Sequence, residues 1–274
     1  MRTKSDLESL FLFTNTLILR PYVFVFLAVS LYIGQKLLGW RRTGRLFGLT
    51  WTIAFICEYT STRIGIPFGE YFYTGATQGH ELYISNIPFM DSLSFSFLVF
   101  ASYCLALIFV LPPVKRAEQH GWLFDTALRT SWPVMGLTVV FLTFLDVVID
   151  PVALQGERWF LGQIYGYPED AIYFGVPLAN FAGWAVVGIL SVLGFRWLER
   201  GPYASEPIPR EVVKWELVGG IGLYYGVLTF NLSVTFWIGE LLMGIVGYFI
   251  FSPLTAALLV TLWRGLSCSK AQEF

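Results

Sequence analysis

Charge is what this sequence has least of. Only 14% of its 274 residues are Asp, Glu, Lys or Arg, against roughly 25% in an average soluble domain. A soluble chain of this length could bury a large core but would still need a charged shell, and too few charges are present to make one. The net charge of −1 gives no basic field for nucleic acid. The three cysteines, Cys57, Cys104 and Cys268, lie far apart and form neither a disulfide framework nor a metal spacing. They read as small buried apolar residues. The two histidines, His80 and His120, fall in expected loops and match no metal pattern. Glycine is plentiful, yet no phosphate-binding motif appears. Nothing divides the chain into repeats or low-complexity tracts, so residues 1–274 read as one domain. The first ten residues are mixed in charge and lack a signal-peptide cleavage pattern, so insertion is expected to rest on the first span.

What the sequence has instead is apolar and aromatic: 55% hydrophobic residues, 18% aromatic residues and a mean hydropathy of +0.62. That is the composition of an all-α polytopic membrane bundle with aromatic anchors at its interfaces. A spanning helix needs about 20 apolar residues. Seven segments qualify, near residues 21–38, 46–59, 87–111, 130–149, 173–198, 217–231 and 236–262. The last two separate only if a turn falls between Asn231 and Gly239; otherwise the count is six. The segment 199–216 is polar and Pro-rich and reads as a loop. Thirteen Lys and Arg fall on one side of this arrangement and five on the other. By the positive-inside rule the N-terminus is expected outside and the C-terminus in the cytoplasm, as for a prokaryotic cytoplasmic-membrane protein. Twelve of the nineteen acids gather toward the non-cytoplasmic face, among them the loop acids Glu157, Glu169 and Asp170.

Topology accounts for acids in loops but poorly for acids within apolar runs, where charge is costly and usually functional. Asp146 and Asp150 lie four apart and share one helix face. Pro151 is expected to end that helix at Asp150. Two carboxyl groups at a membrane-embedded helix end repel and resist desolvation, so a retained proton relieves both. A proton-holding acid in an apolar cleft is what acid catalysis on a hydrocarbon needs; the plain alternative is a helix end whose acids face water. Glu58 closes the second span, with Arg63 as a possible ion-pair partner. The segment Gly65–Gly75 carries Glu70, Tyr71 and Tyr73 and reads as an irregular loop over a cavity, or as part of an aromatic belt. Asn180 and Trp184 stand one turn apart at the start of the fifth span, where Asn can also serve helix packing alone.

These residues carry a resemblance. Glu58–Tyr73 (EYTSTRIGIPFGEYFY), Asp146–Ala153 (DVVIDPVA) and Gly175–Trp184 (GVPLANFAGW) resemble, in order and spacing, the membrane carotenoid-biosynthesis family of CruF-type carotenoid hydratases. That family includes the archaeal bisanhydrobacterioruberin hydratases. The segment Asn86–Asp91 follows the family pattern only loosely. The resemblance implies addition of water to the terminal double bond of an acyclic carotenoid end, with no cofactor and no metal. It implies catalytic roles for Asp146, Asp150, Glu58 and Glu70. Substrate-contacting roles fall to Tyr71, Tyr73, Asn180, Trp184, Trp159 and Asp91. The implied partners are the carotenoid, water, membrane lipid and other carotenoid-pathway enzymes. A lycopene-type cyclase would form the same cation and quench it by ring closure. A transporter is a third reading, without an inverted repeat to support it. A retinal protein is excluded, because residues 236–262 contain no lysine.

Overall fold

The computed structural model describes residues 2–116, 119–168, 171–200 and 211–267. Cys268, Glu169, Asp170 and residues 201–210 of the polar linker lie outside them. The helices are α1 (Arg2–Leu19), α2 (Pro21–Leu38), α3 (Trp40–Ile64), α4 (Phe89–Val110), α5 (Thr126–Arg129), α6 (Trp132–Ala153), α7 (Leu178–Arg200), α8 (Trp215–Trp237) and α9 (Leu241–Ser267). Short strands join them: β1 (Phe72–Tyr73), β2 (Tyr83–Ile84), β3 (Ile87–Pro88), β4 (Pro113–Arg116), β5 (Gln119–Phe124), β6 (Tyr165–Gly166) and β7 (Glu211–Val213).

Six helices, α2, α4, α6, α7, α8 and α9, are long and apolar enough to cross a bilayer. The protein is an integral membrane helical bundle. The helix at the expected second span, α3, has 25 residues but carries Arg41, Arg42, Arg45, Glu58 and Arg63, and is not among those six. It runs antiparallel to α2 through Gly39, and its last turns reach the same cavity as the first turn of α2.

A helix that is apolar all round belongs inside a bundle. The one that fits best is α4, which is buried along almost its whole length. It sits at the centre, packed against α2, α3, α6 and α8. Around it the outer helices close a ring in the order α2, α3, α7, α6, α8 and back to α2, with α9 outside against α8 and α6. Small residues allow the close approaches, as expected where lipid replaces water as solvent. A Cβ on Gly220 of α8 would overlap the Cys104 side chain of α4.

Prolines inside helices are tolerated because hydroxyl groups satisfy what they leave open. Contrary to expectation, α6 does not end at Asp150 but continues through Pro151 to Ala153. Pro151 has no N–H for the carbonyl four residues back, that of Val147, and Tyr173 Oη donates to this oxygen at 3.2 Å. In α9 the same vacancy behind Pro253 is filled by Ser252 Oγ, 3.0 Å from Phe249 O. The turn between the last two spans is at Gly239 (φ +86°), and Asn231 is inside α8.

The two ends of the bundle differ in charge. At one end α2, α4, α7 and α9 begin and α3, α6 and α8 finish, and the embedded carboxyl groups lie there. At the other, β4, β5 and β7 form an antiparallel sheet, so His120 lies on a strand rather than in a loop. Beside that sheet Glu199 is fully buried and accepts from Arg42 Nε at 2.8 Å, Arg45 Nη1 at 3.4 Å and Arg129 Nη2. Arg129 is itself 1% exposed.

Glu199 therefore holds three cations where α3, α5 and α7 meet at this end. Removing one partner of a buried ion pair costs about 3–5 kcal/mol. Glu199→Ala should destabilise the detergent-solubilised protein by that order, read from thermal unfolding. A loss below about 1 kcal/mol would mean that solvent, not Glu199, balances these arginines.

Candidate active site

At the acid-rich end the helices splay around a cavity of about 1000 Å³, mouth included. Its lower walls are apolar and come from the core helices: Val23 and Phe26 of α2, Phe95, Phe97 and Leu98 of α4, Trp184 of α7, and Val227 and Phe230 of α8. Its roof comes from the segments 65–87 and 154–177. Polar groups enter from five helices: Glu58 from α3, Asp91 and Ser94 from α4, Asp150 from α6, Asn180 from α7 and Asn231 from α8.

Asn180 is the joint between the acids of α6. Its Nδ2 donates to Asp150 Oδ2 at 2.5 Å and to Asp146 Oδ2 at 3.0 Å, so one amide bridges two carboxyl groups. The helical spacing of four in α6 is what puts both within its reach. Asp146 is fully buried behind Asp150, and its Oδ1 has no donor among the described residues. Tyr167 Oη lies 3.4 Å from Asp150 Oδ2, and the Tyr165 hydroxyl also reaches Asp150.

The second pair of acids faces this one from α3 and α4. Glu58, 3% exposed, accepts from Ser92 Oγ. Asp91 Oδ2 accepts from Tyr73 Oη at 2.6 Å, and Tyr71 Oη lies 3.4 Å from Tyr73 Oη. Arg63 does not pair with Glu58. It stacks on the Tyr59 ring at 3.4 Å and bonds Asn86 and Ser85.

The tyrosines reach the acids through a two-stranded ribbon. Antiparallel pairing of β1 with β6 sets Phe72 opposite Gly166 and Tyr73 opposite Tyr165. Alternate residues of a strand share a face, so Tyr71, Tyr73, Tyr165 and Tyr167 all turn inward. Their ring centroids are 5.4–6.4 Å apart. Burial above all, and then the neighbouring carboxylates, pushes all four phenols above the ordinary tyrosine range. They therefore stay protonated at physiological pH and serve as hydrogen-bond donors, not as bases.

An aromatic wall stands beside the acids. Phe95 and Trp184 have centroids 4.5 Å apart, and Phe68 packs on Phe95 at 6.1 Å. Phe68 fits because residue 183 is glycine; a Cβ there would overlap its ring. Trp159 stands on the opposite side against Phe230, at 6.2 Å, and donates Nε1 to Val152 O. The roof is tied down by a buried ion pair. Arg20 donates Nε to Glu81 Oε1 at 2.9 Å and Nη1 to Leu161 O at 2.6 Å.

Of the ten residues named from sequence, eight line the cavity: Glu58, Tyr71, Tyr73, Asp91, Asp150, Trp159, Asn180 and Trp184. Asp146 lies one turn behind Asp150. Glu70 is exposed on the loop beyond Gly65 and does not line the cavity. Tyr165, Tyr167, Ser92, Phe68 and Phe95 were not foreseen. The repeated Tyr-x-Tyr spacing at 71–73 and 165–167 is the sequence signal that pairs the two segments.

A family model described as "Carotenoid biosynthesis protein" matches residues 17–259, which include every cavity residue named above. The chain is also similar to the bisanhydrobacterioruberin hydratase of Haloarcula japonica. The two are 28% identical over 195 residues, 68% of this chain and 58% of the relative, so this chain spans little more than half of that protein. No solved structure matches.

The amide bridge makes its own test. Asn180→Ala should cost about 1–3 kcal/mol, because two buried acceptors lose their donor. Asn180→Asp, which adds a third carboxyl group, should cost more. Thermal unfolding in detergent gives the order, and an Asn180→Asp protein as stable as wild type would contradict the bridging role.

Proposed function

Because the chain belongs to the carotenoid biosynthesis protein family, we propose that it is a membrane-embedded carotenoid hydratase. It adds water to the terminal C=C of an acyclic carotenoid end group. The observation that carries this reading is the Asp146–Asn180–Asp150 bridge, set in an aromatic-lined cavity inside a bilayer-spanning bundle.

An isolated alkene offers a catalyst only its π electrons, so addition of water must begin with a proton from a strong enough acid. The α6 pair supplies it. Asp146 Oδ1 finds no donor among the described residues, and a carboxylic acid proton shared within the pair meets that need. Asn180 orients both carboxyl groups, and Asp150 presents the proton to the cavity. Transfer to the less substituted alkene carbon leaves a tertiary cation. Trp184, Phe95 and Tyr71 hold it by their ring faces, an attraction worth about 2 kcal/mol or more when water is excluded.

Water then attacks the cation. Glu58, held by Ser92, and Asp91, held by Tyr73, accept hydrogen bonds from the incoming water and take up its surplus proton. Protonated Tyr73 fixes Asp91, and Tyr165 and Tyr167 fix Asp150, without competing for that proton; Tyr71 backs Tyr73. The net change is one H and one OH added across the double bond. Return of the proton to the α6 pair closes the cycle. Glu70 takes no part, and no redox cofactor or metal is demanded. On charge distribution, the acid-rich end faces away from the cytoplasm, with the N-terminus outside and the C-terminus inside.

The decisive experiment is expression in a bacterium that accumulates an acyclic carotenoid, followed by pigment mass analysis. A hydratase adds the mass of one water per end. An isomer of unchanged mass with a ring would identify a cyclase, and unaltered pigment would sink both. Asp146→Asn and Asp150→Asn should each slow conversion by roughly 10²-fold or more. Full hydration by both variants would remove the pair from the chemistry. Topology is read separately: a cysteine placed at Thr77 should react with an impermeant maleimide in intact cells, and one at Gly39 should not. The reverse pattern would invert the orientation.

A further inference from the structure

At the basic end, away from the cavity, a second hollow opens between α6 and α7, lined by Trp132, Leu193, Arg196, Trp197 and Arg200. Arg196 and Arg200 are four apart on α7 and share a face. Neither is ion-paired among the described residues, whereas Arg42, Arg45 and Arg129 nearby all converge on Glu199. Both guanidinium groups are nonetheless fixed in place. Arg196 donates to Thr130 O and lies 4.3 Å over the Trp132 ring. Arg200 donates Nε to Thr130 Oγ1 at 2.5 Å and Nη2 to Ala127 O at 2.9 Å. Among the described residues these bonds use only part of each group's N–H donors.

Two arginines on one helix face, with no carboxylate paired to either among the described residues, form an anion site. The walls say what kind of anion. Trp132 is 63% exposed and Trp197 56%, on the outer surface of a membrane bundle, with Leu193 between α6 and the arginines. Indoles at a helix end lie at headgroup depth. A soluble anion gains nothing from them, whereas a lipid acyl chain does. We propose that this groove holds the phosphodiester headgroup of an anionic membrane phospholipid, with an acyl chain along Leu193 and the two indoles. A zwitterionic headgroup would bring its own cation toward two arginines and is disfavoured. Bidentate guanidinium–phosphate contact suits such a site better than lysine would.

Native mass spectrometry of the purified full-length protein tests this with phosphatidylglycerol and phosphatidylcholine of matched chains. Wild type should retain phosphatidylglycerol roughly tenfold better. Arg196→Gln/Arg200→Gln should abolish the preference, and Arg41→Gln, an exposed arginine outside the groove, should leave it intact. Leu193→Trp, which fills the groove and keeps both charges, should also release the lipid and serves where the double variant misfolds. Equal retention of both lipids by wild type would overturn the proposal. So would an undiminished preference in Leu193→Trp, or displacement of the lipid by equimolar inorganic phosphate.

Discussion

Four carboxyl groups lie together at one end of the bundle, and among the described residues none of them is ion-paired. Charge at such depth is expensive, and burial without partners would be worse. The structure meets the constraint with neutral donors: Asn180 for the α6 pair, Ser92 for Glu58 and Tyr73 for Asp91. Each donor comes from an element other than the one it serves; Ser92 alone also neighbours an acid of the cluster, Asp91. The acids thus fix how α3, α4, α6, α7 and the β1–β6 ribbon meet. A cation in their midst would have stabilised them more simply. It would also have removed the acid character that the α6 pair needs.

The basic end solves the opposite problem by the opposite means. There a single glutamate is shared among three arginines, and two more, not ion-paired among the described residues, form the proposed anion site. Burying one carboxylate against several guanidinium groups is tolerable because each adds charge-assisted hydrogen bonds. It locks α3, α5 and α7 rigidly at that end. At the acid end the cluster is held by neutral bonds and only its roof by an ion pair, Arg20–Glu81; on the proposed function this is the end that admits the substrate.

Much of this was legible in the sequence, and the reasons for the exceptions are physical. Six of the seven expected spans follow from hydropathy, α3 being the exception, and the α6 pair from its spacing and its apolar setting. Gly65–Gly75 reads as a cavity loop because its glycines and aromatics suit irregular backbone. Three features were not legible. The helix through Pro151 depends on a hydroxyl from Tyr173, a contact no local pattern encodes. The partner of Glu58 is Ser92, 34 residues away, while the nearer Arg63 is drawn off to Tyr59 and Asn86. The helix α1 is too polar at its start to read as a span, and Arg20 at its end finds Glu81 only after the roof has folded.

The tyrosine ribbon ties these threads together. A tertiary cation beside carboxylates has two easy fates: return of a proton to the acid, or capture by whatever nucleophile lies nearest. Which one prevails depends on where water can stand. Tyr71, Tyr73, Tyr165 and Tyr167 keep their protons because burial and the adjacent carboxylates hold them there, so each can direct a water oxygen or a carboxylate oxygen. The wall of Phe68, Phe95 and Trp184 offers no hydrogen bond except from one indole. In the proposed reaction a cation between wall and ribbon would meet ring faces at the wall, and at the ribbon both the Tyr71 ring and the hydroxyl and carboxylate oxygens that can orient water. On the proposed hydration, where the ribbon places water, more than the strength of any single acid, would turn that cation toward addition.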